Sequence, residues 1–146
     1  MIKKAIFPGC FDPIHQGHIN IIKKAAKLFD KVYVAISINV DKNSSNIDMR
    51  LKIAKQKLAK LKIKNIVVIK NTKMVVDVAK EYGCAYIVRS IRNINDFNYE
   101  MNIAKNNFKL NNFIQTIFMV PDNNLTTISA SNLREIARQK KLINKA

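Results

Sequence analysis

The feature that most limits the fold of this chain is an alternation of short apolar runs with longer amphipathic stretches. Short runs rich in β-branched residues are typical of buried strands, and apolar residues that recur every three or four positions are typical of helices. Five strands are predicted, at residues 5–7, 32–38, 66–69, 85–88 and 117–120. Because strands and helices alternate, we expect βα units and a parallel sheet.

Helices are predicted between and after these strands, at residues 17–29, 49–61, 75–82, 94–110 and 130–139. Asp48 is the expected N-cap of the second helix, and Gly83 is expected to end the third. The pattern indicates a single α/β domain over residues 1–146 with a Rossmann-like fold, in which helices cover both faces of a five-stranded parallel sheet. The tail at residues 139–146 is expected to fray.

Two general features narrow the class of protein. No apolar run is long enough to cross a membrane and Pro8 interrupts the first apolar stretch, so we expect a soluble, cytoplasmic protein with no membrane partner. Cys10 and Cys84 lie far apart without the spacing of metal ligands, which favours free thiols and no metal held by protein side chains.

The formal net charge of +16 suits nucleic acid, an anionic membrane or small phosphorylated substrates as partners. A nucleic-acid-binding module is therefore one alternative function. The lysines are dispersed and no RRM or KH signature occurs, so we expect no specific nucleic acid as a partner. Lysine is abundant, whereas histidine, glycine, proline and arginine are scarce, which makes the positions of the scarce residues informative.

The scarce residues concentrate in the loop between the first predicted strand and helix. Both histidines, two of the three glycines and two of the three prolines lie within residues 8–18. Gly17 leaves a bare backbone beside the helix N-terminus, where free N–H groups and the helix dipole attract phosphate. The loop lies at the carboxyl edge of the sheet, where open α/β folds bind ligands. This loop is therefore a predicted phosphate site, with His18 as a hydrogen-bond donor during phosphoryl transfer.

The segment His15-Gln16-Gly17-His18 has the pattern H-x-G-H between a strand and a helix. In this context it resembles the signature of the HxGH nucleotidyltransferase superfamily. Helix capping by His18 and packing of His15 in a turn are the alternative structural roles. The G-x-G-x-x-G fingerprint of dinucleotide-binding enzymes is absent, which disfavours a dehydrogenase.

Arg89 and Arg92 follow the fourth predicted strand and lie at the same edge of the sheet as the first loop. The planar guanidinium of arginine holds phosphate through two hydrogen bonds and stays charged at any physiological pH. Surface ion pairs with Asp96 or Glu100 are the alternative role. Both arginines are therefore predicted phosphate ligands.

The sequence Arg-Ser-Ile-Arg at 89–92, followed by Asp-Phe-Asn-Tyr-Glu at 96–100, closely resembles the R-G-L-R and D-F-x-Y-E block of bacterial phosphopantetheine adenylyltransferases. Residues 128–135 resemble the I-S-S-S-x-x-R-E segment of the same family, with an ordinary serine N-cap as the alternative. Two residues depart from the family pattern, Cys10 in place of threonine and Ser90 in place of glycine.

This resemblance implies transfer of AMP from ATP to 4′-phosphopantetheine, with formation of dephospho-coenzyme A and pyrophosphate, by in-line attack without a covalent intermediate. Magnesium, as Mg2+, would arrive with ATP, and the family's homohexamers imply a homo-oligomer. Another HxGH enzyme, such as a nicotinate mononucleotide adenylyltransferase or a glycerol-3-phosphate cytidylyltransferase, is the alternative. The block from Arg89 to Glu100 argues against both.

The same resemblance implies the roles of individual residues. His18 would stabilise the transition state. The contacts to phosphopantetheine would come from Cys10, Lys42, Val75 and Arg89. The ATP site would be formed by Cys10, Phe11, His18, Ser90, Ile91, Arg92, Glu100, Leu125, Thr126, Thr127, Ile128, Ser129, Ala130 and Ser131.

Overall fold

A computed structural model describes residues 2–38, 46–122 and 130–145 of the 146-residue chain. The strands are β1 (Lys4–Gly9), β2 (Lys31–Ser37), β3 (Ile66–Asn71), β4 (Tyr86–Ser90) and β5 (Gln115–Met119). The helices are α1 (Gln16–Leu28), α2 (Ile47–Ala59), α3 (Val75–Glu81), α4 (Ile94–Leu110) and α5 (Ala130–Lys145). Each predicted strand and helix is confirmed. The described helices lack the combined length and hydropathy of a membrane-spanning segment.

The five strands form one parallel sheet in the order β3-β2-β1-β4-β5, which confirms the predicted fold class. The chain runs outwards from β1 through β2 to β3 and then crosses to the other side of β1. This reversal places a topological switch point between β1 and β4, where open α/β sheets bind ligands.

Two apolar clusters cover the two faces of the sheet. On one face, buried residues of α1 and α2, including Ile22 and Leu58, pack against Ala5 and Phe7 of β1. On the other face, α3 packs against the alternate strand residues, among them Ile6. Because both faces are covered, the strands are apolar along most of their length rather than alternating with polar residues.

The central strands separate towards their carboxyl ends. β1 pairs with β2 from Lys4 to Gly9, whereas it pairs with β4 only at Ala5 and Ile6. The ends of β1 and β4 therefore diverge, and a cleft opens at this edge of the sheet.

The predicted N-cap of α2 was wrong by two residues. Asn46 is the cap, and its side-chain oxygen accepts a hydrogen bond from the Asp48 amide at 2.7 Å. Asp48 instead lies in the first turn of α2 and forms an ion pair with Lys70 at 2.9 Å. Asparagine and aspartate cap helices about equally well, so backbone geometry decides between them.

The last helix is longer than predicted. α5 continues to Lys145, whereas the sequence predicted a helix end near residue 139 and a frayed tail. Lysine and leucine are good helix formers, and lysines in the last turn interact favourably with the helix dipole. These residues therefore continue α5, although their positive charge had suggested a frayed tail.

Gly83 ends α3 as predicted. Its φ of +72° is left-handed, and its amide donates to the Lys80 carbonyl at 3.1 Å. The following amide, of Cys84, donates to the Ala79 carbonyl at 2.7 Å. This pair of bonds is a Schellman motif, which satisfies carbonyls left free at the helix end and turns the chain into β4.

Replacing Gly83 by alanine should lower the free energy of unfolding by about 1 to 2 kcal/mol, because a left-handed conformation brings Cβ close to the next carbonyl. Space is not limiting, since an added Cβ would meet Lys4 Nζ at 3.8 Å. Urea unfolding measures the change. Gly83→Asn is the matched control, because asparagine tolerates this conformation and should lose less. Equal losses in the two variants would contradict this account.

Candidate active site

The cleft between the diverging ends of β1 and β4 is a cavity of about 500 Å³. Its wall consists of the β1–α1 loop, the first turn of α1, the segment from β4 into α4, and Pro121 after β5. Several predicted site residues that are distant in the sequence line this one cavity: Cys10, Phe11, His18, Arg89, Ser90, Arg92 and Glu100. They therefore lie where a common ligand can touch them all.

Two predicted residues lie elsewhere. Ile91 donates its amide to the Met119 carbonyl at 2.9 Å and so joins the ends of β4 and β5. Val75 begins α3 and packs against the core on the other face of the sheet. Their ligand contacts stay predictions.

Other predicted residues cannot be placed in this site. Ala130 and Ser131 belong to the first turn of α5. The residues outside the described part of the chain are Lys42, Leu125, Thr126, Thr127, Ile128 and Ser129. Their roles stay predictions too.

The two histidines close the first turn of α1. His15 is the N-cap, and its Nδ1 accepts a hydrogen bond from the Gly17 amide at 3.1 Å. The His15 amide donates to Nδ1 of His18 at 3.1 Å, which completes a capping box. A Cβ on Gly17 would come within 2.9 Å of the His15 ring, so glycine is needed here.

The capping bonds decide which nitrogen of His18 carries the proton. Because Nδ1 is an acceptor, the hydrogen of the neutral ring is on Nε2. Burial, followed by the charges of His15 and Arg92, lowers the pKa of His18 to about 4. His18 is therefore an uncharged donor at neutral pH, and its ring lines the cleft. A donor in this position can stabilise charge that develops on a phosphoryl oxygen.

Arg89 spans the opening between the two central strands. From β4, its Nη1 donates to the Pro8 carbonyl in β1 at 2.7 Å. Its Nε and Nη2 donate to the two carboxylate oxygens of Glu100 at 2.8 and 2.7 Å. Glu100 is only 6% exposed, so this is a bidentate and largely buried pair. Glu100 therefore orients Arg89, and its predicted contact to the nucleotide stays a prediction.

Arg92 is held more loosely. It is exposed, and its Nε donates to Asp96 at 3.0 Å across one turn at the start of α4. The Arg92 amide donates to the same carboxylate at 3.2 Å. The ion pair with Asp96 that the sequence left as an alternative is therefore present, and an exposed pair of this kind is weak enough to open for a ligand.

Sequence reasoning missed Arg50. It lies in α2, is buried, and donates to the carbonyls of Cys10 and Ser37. Arginine is scarce in this lysine-rich chain, so the reasoning that selected Arg89 and Arg92 would also have selected Arg50.

The chain that follows β5 is tied to α1 beside the cleft. The Asp122 amide donates to the side-chain oxygen of Asn20 at 2.6 Å. The side-chain nitrogen of Asn20 donates to the Asp122 carboxylate at 3.1 Å. Lys24 donates to the Val120 carbonyl and pairs with Asp122, both at 2.6 Å. These contacts fix residues 120–122 beside the N-terminal half of α1, where Pro121 lines the cleft.

Two of the three carboxylates that line the cleft are engaged by arginines. Glu100 binds Arg89 and Asp96 binds Arg92. Within the described ranges, no group of three histidine, cysteine, aspartate or glutamate side chains could hold a metal ion. These residues do not fit a metal caged by the protein, and the chemistry assigned to them below is that of hydrogen-bond donors and fixed charges.

The amino-acid sequence of this chain is similar to those of known proteins. Residues 6–136 match the cytidylyltransferase-like family. The chain is 43% identical over 149 residues to a phosphopantetheine adenylyltransferase of Pelagibacter ubique, covering 99% of this chain and 91% of that protein. It is 37% identical over 141 residues to one from Streptococcus agalactiae serotype Ia, covering 96% and 87%.

Solved structures resemble the chain in fold. A lipopolysaccharide core biosynthesis protein from Thermoplasma volcanium superposes with a TM-score of 0.58 at 19% identity, covering 84% of this chain and 98% of that one. A bifunctional NMN adenylyltransferase/ADP ribose pyrophosphatase from Francisella tularensis gives 0.59 at 18% identity, covering 85% and 39%. At these identities the likeness concerns the fold alone.

Lowering the pH from 7 to 5 should destabilise the folded protein. The folded-state pKa of His18 is about 4 and that of His15 is also lowered, by burial first and then by Arg92 and Lys57. Below the unfolded value of about 6.5 the unfolded chain therefore binds more protons, so stability falls as the pH falls towards 4. Thermal melting between pH 7 and 5 measures the slope.

The matched variant for this experiment is His18→Asn, whose side-chain oxygen can replace Nδ1 as the acceptor but does not titrate in this range. It should melt with a smaller pH dependence than the wild-type protein. A melting temperature that is flat between pH 7 and 5, or a slope unchanged in His18→Asn, would count against the neutral, capped His18.

N-ethylmaleimide should modify Cys10 before Cys84. Cys10 is half-buried and lines the cleft, whereas burial raises the pKa of the Cys84 thiol to about 11. Mass spectrometry of peptides gives the order of labelling, and Cys10→Thr should remove the fast phase. Bound ATP should slow that phase, because a ligand in the cleft covers the thiol. Faster labelling of Cys84, or no protection by ATP, would contradict this placement.

Proposed function

We propose that this chain, which belongs to the cytidylyltransferase-like family and within it to the phosphopantetheine adenylyltransferases, transfers AMP from ATP to 4′-phosphopantetheine, giving dephospho-coenzyme A and pyrophosphate. The observation in the structure that carries the proposal is the neutral His18 ring, whose cap leaves the hydrogen on Nε2 and which lines the same cleft as Arg89 and Arg92. A donor between two cations is suited to the phosphates of two substrates.

The reaction makes few chemical demands on the protein. An oxygen of the 4′-phosphate attacks the α-phosphorus of ATP, a new P–O bond forms, and the bond to the leaving pyrophosphate breaks. A phosphate nucleophile is already ionised near neutral pH, so no general base is required and catalysis consists of positioning and charge stabilisation.

The described residues divide this task. His18 donates through Nε2 to an oxygen that gains negative charge as the bond to pyrophosphate breaks. Arg89, oriented by Glu100, receives the phosphate of phosphopantetheine. Arg92, whose ion pair with Asp96 is exposed, neutralises the triphosphate. Lys42 and Ser129 are proposed to add further contacts to these phosphates.

Three further properties belong to the proposal. Magnesium arrives with ATP and is held mainly by phosphate oxygens and water, which is its usual mode of binding to nucleotide enzymes. The enzyme works in the cytoplasm, where ATP is supplied. The chain assembles into a homo-oligomer, with a hexamer as the expected form.

One assay tests the function against its alternatives. The protein is incubated with ATP, magnesium and 4′-phosphopantetheine, and dephospho-coenzyme A and pyrophosphate are measured. Nicotinate mononucleotide and glycerol 3-phosphate, the latter with CTP, serve as competing acceptors. Faster turnover of either acceptor would overturn the assignment, as would sequence-selective DNA or RNA binding that persists at physiological salt without any transferase activity.

Replacing His18 by alanine should lower kcat by about a hundredfold or more, a loss comparable to that of one oxyanion donor elsewhere. His18→Asn separates the two functions of the ring. It should keep the helix cap and the wild-type melting temperature near pH 7 but lose kcat as fully as alanine, because Nε2–H is missing. Near-normal kcat in His18→Asn would remove His18 from the transition state.

A further inference from the structure

Arg50 holds the β1–α1 loop from behind the cleft. It is 3% exposed, and its Nη1 donates to the carbonyl of Cys10 in the loop and to that of Ser37 at the end of β2, the latter at 2.8 Å. Burying a guanidinium costs free energy unless its donors are satisfied. Both carbonyl contacts lie at the edge of the sheet that binds the ligand.

The position of these carbonyls explains why a side chain is needed. The β1–β2 ladder ends at the pair Gly9 and Ile36. Cys10 follows Gly9, and Ser37 follows Ile36. Arg50 therefore links β1 and β2 just beyond the last pair of residues in their ladder. Ser37 is itself fixed, because its Oγ accepts a hydrogen bond at 3.2 Å from Asn71, which is only 2% exposed.

We infer that Arg50 is a positioning residue that turns the amide N–H of Phe11 towards the phosphates bound in the cleft. In a planar trans peptide the carbonyl and the following N–H point in opposite directions. The Cys10 carbonyl points at the buried Arg50, so the Phe11 N–H points to the other side of the loop, and Cys10 and Phe11 line the cleft there. No described residue accepts a hydrogen bond from this N–H.

The same peptide also sets the position of the Phe11 ring. Phe11 has a φ of +48°, an unusual value for a residue with a side chain. Its ring is 2% exposed and contacts Phe7 and His18, with centroid distances of 5.4 and 4.7 Å. Arg50 therefore acts on the site through one peptide plane, which aims an amide at the phosphates and holds an aromatic ring against His18.

The inference rests on the proposed function, and steady-state kinetics test it. Arg50→Lys keeps the charge, but its ammonium nitrogen lies one bond closer to the backbone than Nη1 and cannot reach both carbonyls, so kcat/KM for ATP should fall tenfold or more. The KM for 4′-phosphopantetheine should rise less than that for ATP, because its phosphate is assigned to Arg89 and only its predicted Cys10 contact lies in this loop. All assays are run at a temperature where each variant is fully folded.

Leu58→Ala is the matched control for stability, since Leu58 is buried in the same helix and packs in the core away from the loop. It should lower the melting temperature while leaving kcat/KM for ATP within twofold of the wild-type value. If Arg50→Lys also melts lower but keeps its kcat/KM, Arg50 is merely structural and the inference is overturned.

A second measurement uses the wild-type protein and so does not depend on how the variant folds. Inorganic pyrophosphate is added to protein labelled with ¹⁵N-phenylalanine, and the Phe11 amide resonance should shift. The Phe29 amide, which donates to the Ala25 carbonyl at 2.9 Å, is the internal reference and should not move. An unmoved Phe11 resonance overturns the inference. An inactive wild-type enzyme with a shifted Phe11 resonance counts against the proposed function but not against Arg50.

Discussion

The site depends on the separation of β1 and β4. Their pairing stops at Ile6, while β1 and β2 stay paired to Gly9, so the sheet opens on one side of its central strand only. Opening a sheet leaves carbonyls without ladder partners, and such groups are costly when buried. Arg89 satisfies the Pro8 carbonyl from one side and Arg50 the Cys10 carbonyl from the other. The groups that supply these missing hydrogen bonds are thus arginines, and one of them, Arg89, also lines the cleft.

His18 shows how a structural role and a proposed catalytic role can be combined in one side chain. Helix capping and phosphate contact were competing interpretations of His18 in the sequence. In the structure they use different atoms, because the cap occupies Nδ1 and leaves the hydrogen on Nε2. The cap also fixes the orientation and the tautomer of the His18 ring before any ligand binds, so that Nε2–H is already available as a donor. The low pKa of about 4 keeps the ring neutral throughout the physiological range.

The sequence predicted what depends on local periodicity and on general rules of parallel sheets. The strands, the helices, the stop at Gly83 and the edge that carries the cleft all follow from these. The pairing of side chains does not, because it depends on distances that appear only after packing. Arg89 and Glu100 are eleven positions apart and were considered as a surface pair, whereas they form a buried one. Arg50 was missed because nothing near it in sequence indicates that its partners are carbonyls of β1 and β2.

The engagement of Arg89 by Glu100 prepares it for a ligand rather than competing with one. A guanidinium has five N–H donors. Arg89 uses two of these donors on Glu100 and one on Pro8, which fixes the orientation of its guanidinium. Two donors remain, and Arg89 lines the cleft. A free arginine would lose side-chain entropy on binding phosphate, and this one has lost most of it on folding. A phosphate cannot displace Glu100 cheaply, because that carboxylate would be left buried and unpaired. The complex of lowest free energy is therefore one in which phosphate joins the existing pair, while Arg92, which lines the same cleft, supplies a second positive charge.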